Sequence, residues 1–108
     1  MANTFKLKTK ANVGVTTSNV YTVPSATTTV VIGVTLANTS GSSINVGVGI
    51  TRASTDDIHL MKNVPIPQGS SFEFMSGNKN VLDATDTFVA ESDVNNSLDV
   101  ALTIMEIT

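Results

Sequence analysis

Two stretches near the middle of the chain place an apolar residue at every second position, and this restricts the fold more than any other feature. In Thr28–Ala37 the repeating residues are Val30, Ile32, Val34 and Leu36; in Ser43–Thr51 they are Ile44, Val46, Val48 and Ile50. Side chains alternate between faces along a β-strand, whereas a helix needs its apolar residues three and four positions apart. Both stretches are therefore predicted to be strands with those residues facing inward. Between them lies Asn38-Thr39-Ser40-Gly41-Ser42, a run of turn formers, so the pair reads as a β-hairpin. The opposite faces carry mostly small residues: Val31, Gly33, Thr35 and Ala37 on the first strand, Asn45, Gly47, Gly49 and Thr51 on the second.

The same period continues elsewhere. In Thr4–Lys10, Phe5 and Leu7 point one way and the lysines the other. Asn19–Val23 is a short strand stopped by Pro24, and Ile58–Met61 follows a turn at Asp56 and Asp57. In Val64-Pro65-Ile66-Pro67, prolines at alternate positions cannot donate to a central ladder, so this stretch reads as an extended crossing between sheets, closed by a Gln68-Gly69 turn. Ser71–Met75 then places Phe72 and Phe74 inward, Ser76-Gly77-Asn78 turns into Asn80–Leu82, and Thr87–Glu91 carries Phe88. The four Phe at alternating positions read as core. Leu98–Ile107 closes the chain, with Leu98, Val100, Leu102 and Ile104 on one face and Met105 and Ile107 on the other. No segment has sustained helical periodicity. The predicted fold is an all-β, single-domain antiparallel β-sandwich or jelly-roll-like barrel of about eight short strands. Residues 1–11 form an N-terminal arm or edge strand and 12–108 the sandwich domain.

Composition narrows the functions. The chain's 108 residues suit one domain, and 41% hydrophobic content is enough for a packed core. Only 14% are charged, against about 25% in an ordinary domain, while Ser, Thr and Asn fill about a third of the positions. Lys6, Lys8 and Lys10 are the only charges in the first ten residues; the rest holds Arg52, Lys62 and Lys79 against all nine acidic residues. A basic arm on an acidic body can steer onto a neighbouring copy, or the lysines can simply discourage edge pairing. An acidic domain lacks the phosphate-neutralising footprint of a nucleic-acid binder. Without cysteine there are neither disulfides nor thiolate zinc sites. The start MANTFKLKTK has no apolar core of a signal peptide, and no stretch has membrane-spanning length.

The residues that bear chemistry do not converge. His59 is the sole histidine, and of Asp56-Asp57-Ile58-His59 only Asp57 and His59 share a face of an extended chain, so a turn and an exposed strand explain them better than a cation site. Asp83 and Asp86, with Glu91 and Asp93 nearby, sit in a short polar loop where carboxylates bond local backbone N–H groups. Serines are plentiful, but no base accompanies them in a nucleophile motif, and no phosphate-binding or dinucleotide glycine loop is present. The reading is non-enzymatic: no catalytic residue, no cofactor, no metal.

What remains is surface. In the last strand both faces carry apolar residues, while a sandwich covers only one face of each sheet. Gly47 and Gly49 leave a strand face open to close backbone approach, by a neighbouring subunit or at a bulge of the chain itself. Phe5, Lys6, Leu7 and Lys8 in the arm, Gly47 and Gly49, and Met105 and Ile107 are therefore the candidate protein-contact residues.

The order Val20-Tyr21-Thr22-Val23-Pro24, Thr29-Val30-Val31-Ile32-Gly33-Val34-Thr35-Leu36-Ala37-Asn38, Val64-Pro65-Ile66-Pro67-Gln68-Gly69-Ser70-Ser71, Val81-Leu82-Asp83-Ala84-Thr85-Asp86-Thr87-Phe88 and Ile104-Met105-Glu106-Ile107-Thr108 resembles small β-rich virion structural proteins of tailed bacteriophages, from about residue 19 to the end. One position departs from that pattern: glycine is expected in the turn before Asp86, where this chain has Thr85. The resemblance implies no catalytic residues. It implies a virion protein, made in the cytoplasm of the infected host and present as a homo-oligomer in many copies, as head decoration or cement or as a neck or tail component. Its partners would be other virion proteins, such as the major capsid or tail proteins, with no nucleic acid and no membrane. The alternative is a β-sandwich module that binds a glycan or host surface, which the single Tyr and absent Trp make poor in stacking platforms. An enzyme on the same scaffold and a strand-donating pilin-like subunit are further alternatives.

Overall fold

The computed structural model describes residues 3–52, 57–74 and 80–108; Asp56, Met75 and the turn expected at Ser76-Gly77-Asn78 lie outside them. The described residues form strands and no helix: β1 (Asn3–Val13), β2 (Ser18–Thr22), β3 (Thr28–Asn38), β4 (Ile44–Thr51), β5 (Ile58–Ile66), β6 (Ser71–Phe74), β7 (Asn80–Leu82), β8 (Thr87–Ser92) and β9 (Leu98–Ile107). Sheet A has the order β1-β9-β3-β6, with β7 also paired to β3, and sheet B the order β2-β8-β4-β5; every pairing is antiparallel. The chain crosses between sheets at most connections, which is the interleaving of a jelly roll.

The inner faces meet in one core. Sheet A contributes Val31, Val34, Leu36, Val100, Leu102 and Ile104; sheet B contributes Ile44, Val46, Val48, Ile50, Phe88 and Ala90, all of them buried. The alternation expected in the last strand holds, since Leu98, Val100, Leu102 and Ile104 all face the core.

The expected hairpin does not form. β3 pairs with β9, β6 and β7 in sheet A, while β4 pairs with β5 and β8 in sheet B. Alternation is the same in a hairpin and in an arch between sheets, and here the arch wins because it sets Leu36 and Ile44 on opposing inner faces. Asn38 fastens it: its buried amide donates to Ser42 O at 2.8 Å and to Ile66 O at 2.9 Å, and Oδ1 accepts from Ser40 N at 2.9 Å.

The phase of β3 also differs from the reading. Val31 pairs with Ile104 and Gly33 with Thr103, so Ile32 is the extra residue of a β-bulge. A bulge flips every side chain beyond it to the other face. Val34 and Leu36 therefore point inward as expected, while before the bulge Thr29 and Val31 are inward and Val30 turns outward. The crossing between sheets lies later than residues 64–67. Pro65 belongs to β5, opposite Asn45 on the edge of sheet B, where a missing N–H is tolerated. The chain then changes sheet through the turn in which Ser70 N donates to Pro67 O at 3.1 Å and Gly69 adopts φ 70°. Of the four Phe, Phe88 is core, but Phe5 is 70% exposed and Phe72, on edge strand β6, is 38% exposed; the side chain of Phe74 lies outside the described set.

Thr85 adopts φ 70° in the turn where glycine was expected. The turn is clamped to the chain entering from β2: Val23 N donates to Asp86 O at 2.9 Å and Thr85 N to Val23 O at 3.0 Å. A β-branched residue in the left-handed region carries about 1–2 kcal/mol of strain. Glycine removes it but loses about 0.5–1 kcal/mol of backbone entropy on folding. Thr85→Gly is therefore expected to stabilise the fold by up to about 1 kcal/mol, raising Tm by roughly 5 °C in a thermal melt.

Candidate functional site

Among the described residues, the outer face of sheet A is apolar at one end and carries charge only toward the other, at Glu73 and Asp99. Phe5 stands opposite Met105, Met105 opposite Val30, and Val30 opposite Val81, so one row crosses β1, β9, β3 and β7 without interruption. Leu7, on the next row, is 63% exposed, Phe5 70% and Val81 59%. Ile107 extends the patch on β9 between Asn3 and Thr28. Contiguous apolar rows of this kind mark contact surfaces far more than scattered exposed residues do. Four of the candidate contact residues, Phe5, Leu7, Met105 and Ile107, thus come together on one face. Val30 and Val81 complete it and were not read from the sequence. Only the bulge at Ile32 turns Val30 outward, and alternation alone gives no sign of it.

Lys6 and Lys8 face the other way, into the sandwich. They stand opposite Ile104 and Leu102, whose side chains are core. An edge strand with inward charges resists pairing with a stray strand, and here the charge also has a partner. Lys6 Nζ lies 2.8 Å from Glu106 Oε1, and Tyr21 Oη, reaching across from β2, donates to Glu106 Oε2 at 2.5 Å. Tyr21 Oη also shares a 2.8 Å hydrogen bond with Thr29 Oγ1, and Lys8 Nζ sits 5.9 Å from the Tyr21 ring centroid. The basic arm thus finds an acidic partner in its own chain. This polar latch closes the edge where apolar core ends, and joins β1, β2, β3 and β9. Glu106 was missed by the sequence reading although a signal existed: it continues the inward period of Leu98 to Ile104, which makes it a buried carboxylate in need of a cation.

The latch has a pH signature. Hydrogen bonds from Lys6 and then Tyr21 hold the Glu106 carboxyl below its ordinary value of 4.5, against the opposing effect of burial. Burial and then the Glu106 hydrogen bond push the Tyr21 phenol up to about 12. A depressed carboxyl contributes stability that is fully present above the unfolded value and is lost as pH falls through the folded one. Protection of the β1 amides against hydrogen exchange, corrected for intrinsic rates, is expected to fall in acid below about pH 4.5. Glu106→Gln should abolish that pH dependence and cost about 1–2 kcal/mol at neutral pH.

Gly47 and Gly49 lie on the outer face of sheet B, and the chain itself occupies the space they leave. A Cβ on Gly49 would stand 2.4 Å from Ile58 O of β5, and one on Gly47 would stand 3.3 Å from Glu91 Oε1. The β4–β5 register shifts at this point, so the close backbone approach is a bulge between the chain's own strands. His59 is exposed opposite Gly49, and Asp57 Oδ1 accepts from Arg52 N at 3.2 Å. Asp83 and Asp86 form a turn braced by Arg52, at 2.8 Å and 3.0 Å respectively. Asp93 Oδ1 accepts from Asn45 N at 2.9 Å, and Glu91 Oε2 from Thr17 Oγ1 at 3.2 Å. Among the described residues no three His, Cys, Asp or Glu side chains are grouped to hold a metal ion.

No protein-family model and no curated protein matches the sequence. The fold does have solved counterparts. One is a structure of the acid-stable capsid of the Helicobacter pylori bacteriophage KHP30, with TM-score 0.58 and 16% identity over 100% of this chain and 94% of the other. Another comes from the Bacillus endospore appendages described as disulfide-linked pili, with TM-score 0.59 and 11% identity over 99% of this chain and 87% of the other. At these identities the likeness is one of fold: this jelly roll is similar, nearly end to end, to chains from a phage capsid and from a pilus.

Proposed function

We propose that this chain is a non-enzymatic virion structural protein that assembles in many copies on a phage particle. It serves as head decoration or as a neck or tail component, with other virion proteins and further copies of itself as partners. The observation that carries this reading is the row Phe5–Met105–Val30–Val81, an apolar strip exposed at Phe5 and Val81 and half-buried at Met105 and Val30. Support comes from the fold shared with a phage capsid chain and from a surface whose polarity comes mainly from uncharged residues. The pilus counterpart is disulfide-linked, a linkage these residues cannot make because they include no cysteine. The apolar row offers surface packing in its place.

Electron cryomicroscopy of a particle carrying this protein tests the reading. The expected map shows the sandwich at repeated positions with the outer face of sheet A against a neighbouring subunit. Particles that lack it, or that leave this face in solvent, would contradict the proposal.

A further inference from the structure

The outer face of sheet A has relief as well as apolarity. At one end Phe5, Met105, Val30 and Val81 form a ridge. Four residues along β9, or about 13 Å at the rise of a strand, the face sinks into a shallow depression of about 220 Å³, lined mainly by small residues such as Ala11, Thr35, Ala37 and Ala101, with Lys10 and Asp99 also on its lining. Midway between ridge and trough, Thr103 stands opposite Gly33, which has nothing within 4 Å of its Cβ position. Among the described residues, no ionisable side chain lies on the face from the ridge to Thr103. Its two carboxylates sit toward the trough end: Glu73 on edge strand β6, opposite Thr35, and Asp99, whose Oδ1 accepts from Asn12 N at 3.0 Å.

We propose that two copies of this chain stack sheet A on sheet A about a two-fold axis that crosses the strands at Thr103, so that the Met105 ridge of each lies in the Ala101 trough of the other. The proposal rests on the assembly reading above and names its contact. A two-fold interface must be complementary to itself, and a rotation about that axis exchanges ridge and trough while keeping β9 over β9. An axis along the strands would set ridge on ridge and leave both troughs empty. Charge permits the same partner. The chain has net charge −3, so two copies repel over most of their surfaces, but among the described residues the ridge end of this face carries no charged side chain. The area suffices: four strands about 4.8 Å apart and one ten-residue strand long give about 600 Å² per copy, or about 1,200 Å² in all, within the range of specific interfaces.

The test uses the absence of native cysteine. Stacked sheets lie about 10 Å apart, so single-cysteine variants are treated with a bis-maleimide of about that reach. Thr103→Cys should link to itself, and Met105→Cys should link to Ala101→Cys when the two are mixed, far more than Met105→Cys links to itself. Ala101→Lys, on the outer face, should weaken dimerisation at least 100-fold with an unchanged circular dichroism spectrum. Self-linking of Met105→Cys alone, or an Ala101→Lys variant that associates like the parent chain, would overturn the stacking geometry while leaving assembly by another surface intact. A parent chain that stays monomeric and is absent from particles would overturn both.

Discussion

Gly49→Ala is expected to destabilise the fold by about 3 kcal/mol, because the new methyl carbon would stand 2.4 Å from the Ile58 carbonyl oxygen. The obstacle is backbone, so no rotamer change relieves it. Either β5 moves away from β4, breaking the ladder between Ile50–Ile58 and Val48–Met61, or β4 shifts and disturbs the inward row of Val48 and Ile50. Domains of this size are stable by only about 5–15 kcal/mol, so the loss should lower the urea midpoint clearly. Gly33→Ala is the control, since nothing lies within 4 Å of its Cβ position. There the gain from restricting the unfolded chain should leave stability unchanged or slightly raised. Equal losses at both glycines would refute the bulge as the reason for glycine at 49.

Phe88→Ala should cost about 3–5 kcal/mol, and Phe5→Ser close to nothing. Phe88 is fully buried on β8, a central strand of sheet B, and its removal leaves a cavity between the sheets. Phe5 is 70% exposed, so its ring contributes little to the folded monomer. Its loss should instead weaken association. Denaturant unfolding measures the first effect, and concentration-dependent mass the second. The contrast separates residues that hold the fold from those that serve assembly, although both are phenylalanines in alternating strands.

Alternation alone made the all-β class, the inward row of β4 and the two-faced β9 legible, because each is a property of one strand. What it could not convey was which strands pair. Thr28–Asn38 and Ile44–Thr51 alternate identically whether they form a hairpin or an arch, and the decision lies in packing that sets Leu36 and Ile44 on opposing inner faces, fastened by Asn38 bonding Ile66, 28 residues away. Bulges were hidden for a related reason. At Ile32 the register slips against β9, a strand distant in sequence, so the exposure of Val30 follows from its partner and not from its neighbours. The contact face was half visible: Met105, Ile107, Phe5 and Leu7 stood out as apolar residues without cover, while Val30 and Val81 joined them only through pairing. The lysines of β1 were recognised as a face of their own. Their direction, into the sandwich toward Glu106, follows from β1 pairing with β9.

Assembly through sheet A requires an apolar outer face that the monomer leaves open. Sedimentation equilibrium of the unmodified chain, from micromolar to millimolar concentration, tests this most directly. The expected result is a mass that rises above the 11.3 kDa of the single chain as concentration increases, with the rise reduced by Phe5→Ser. A mass fixed at the single-chain value across the whole range would contradict it.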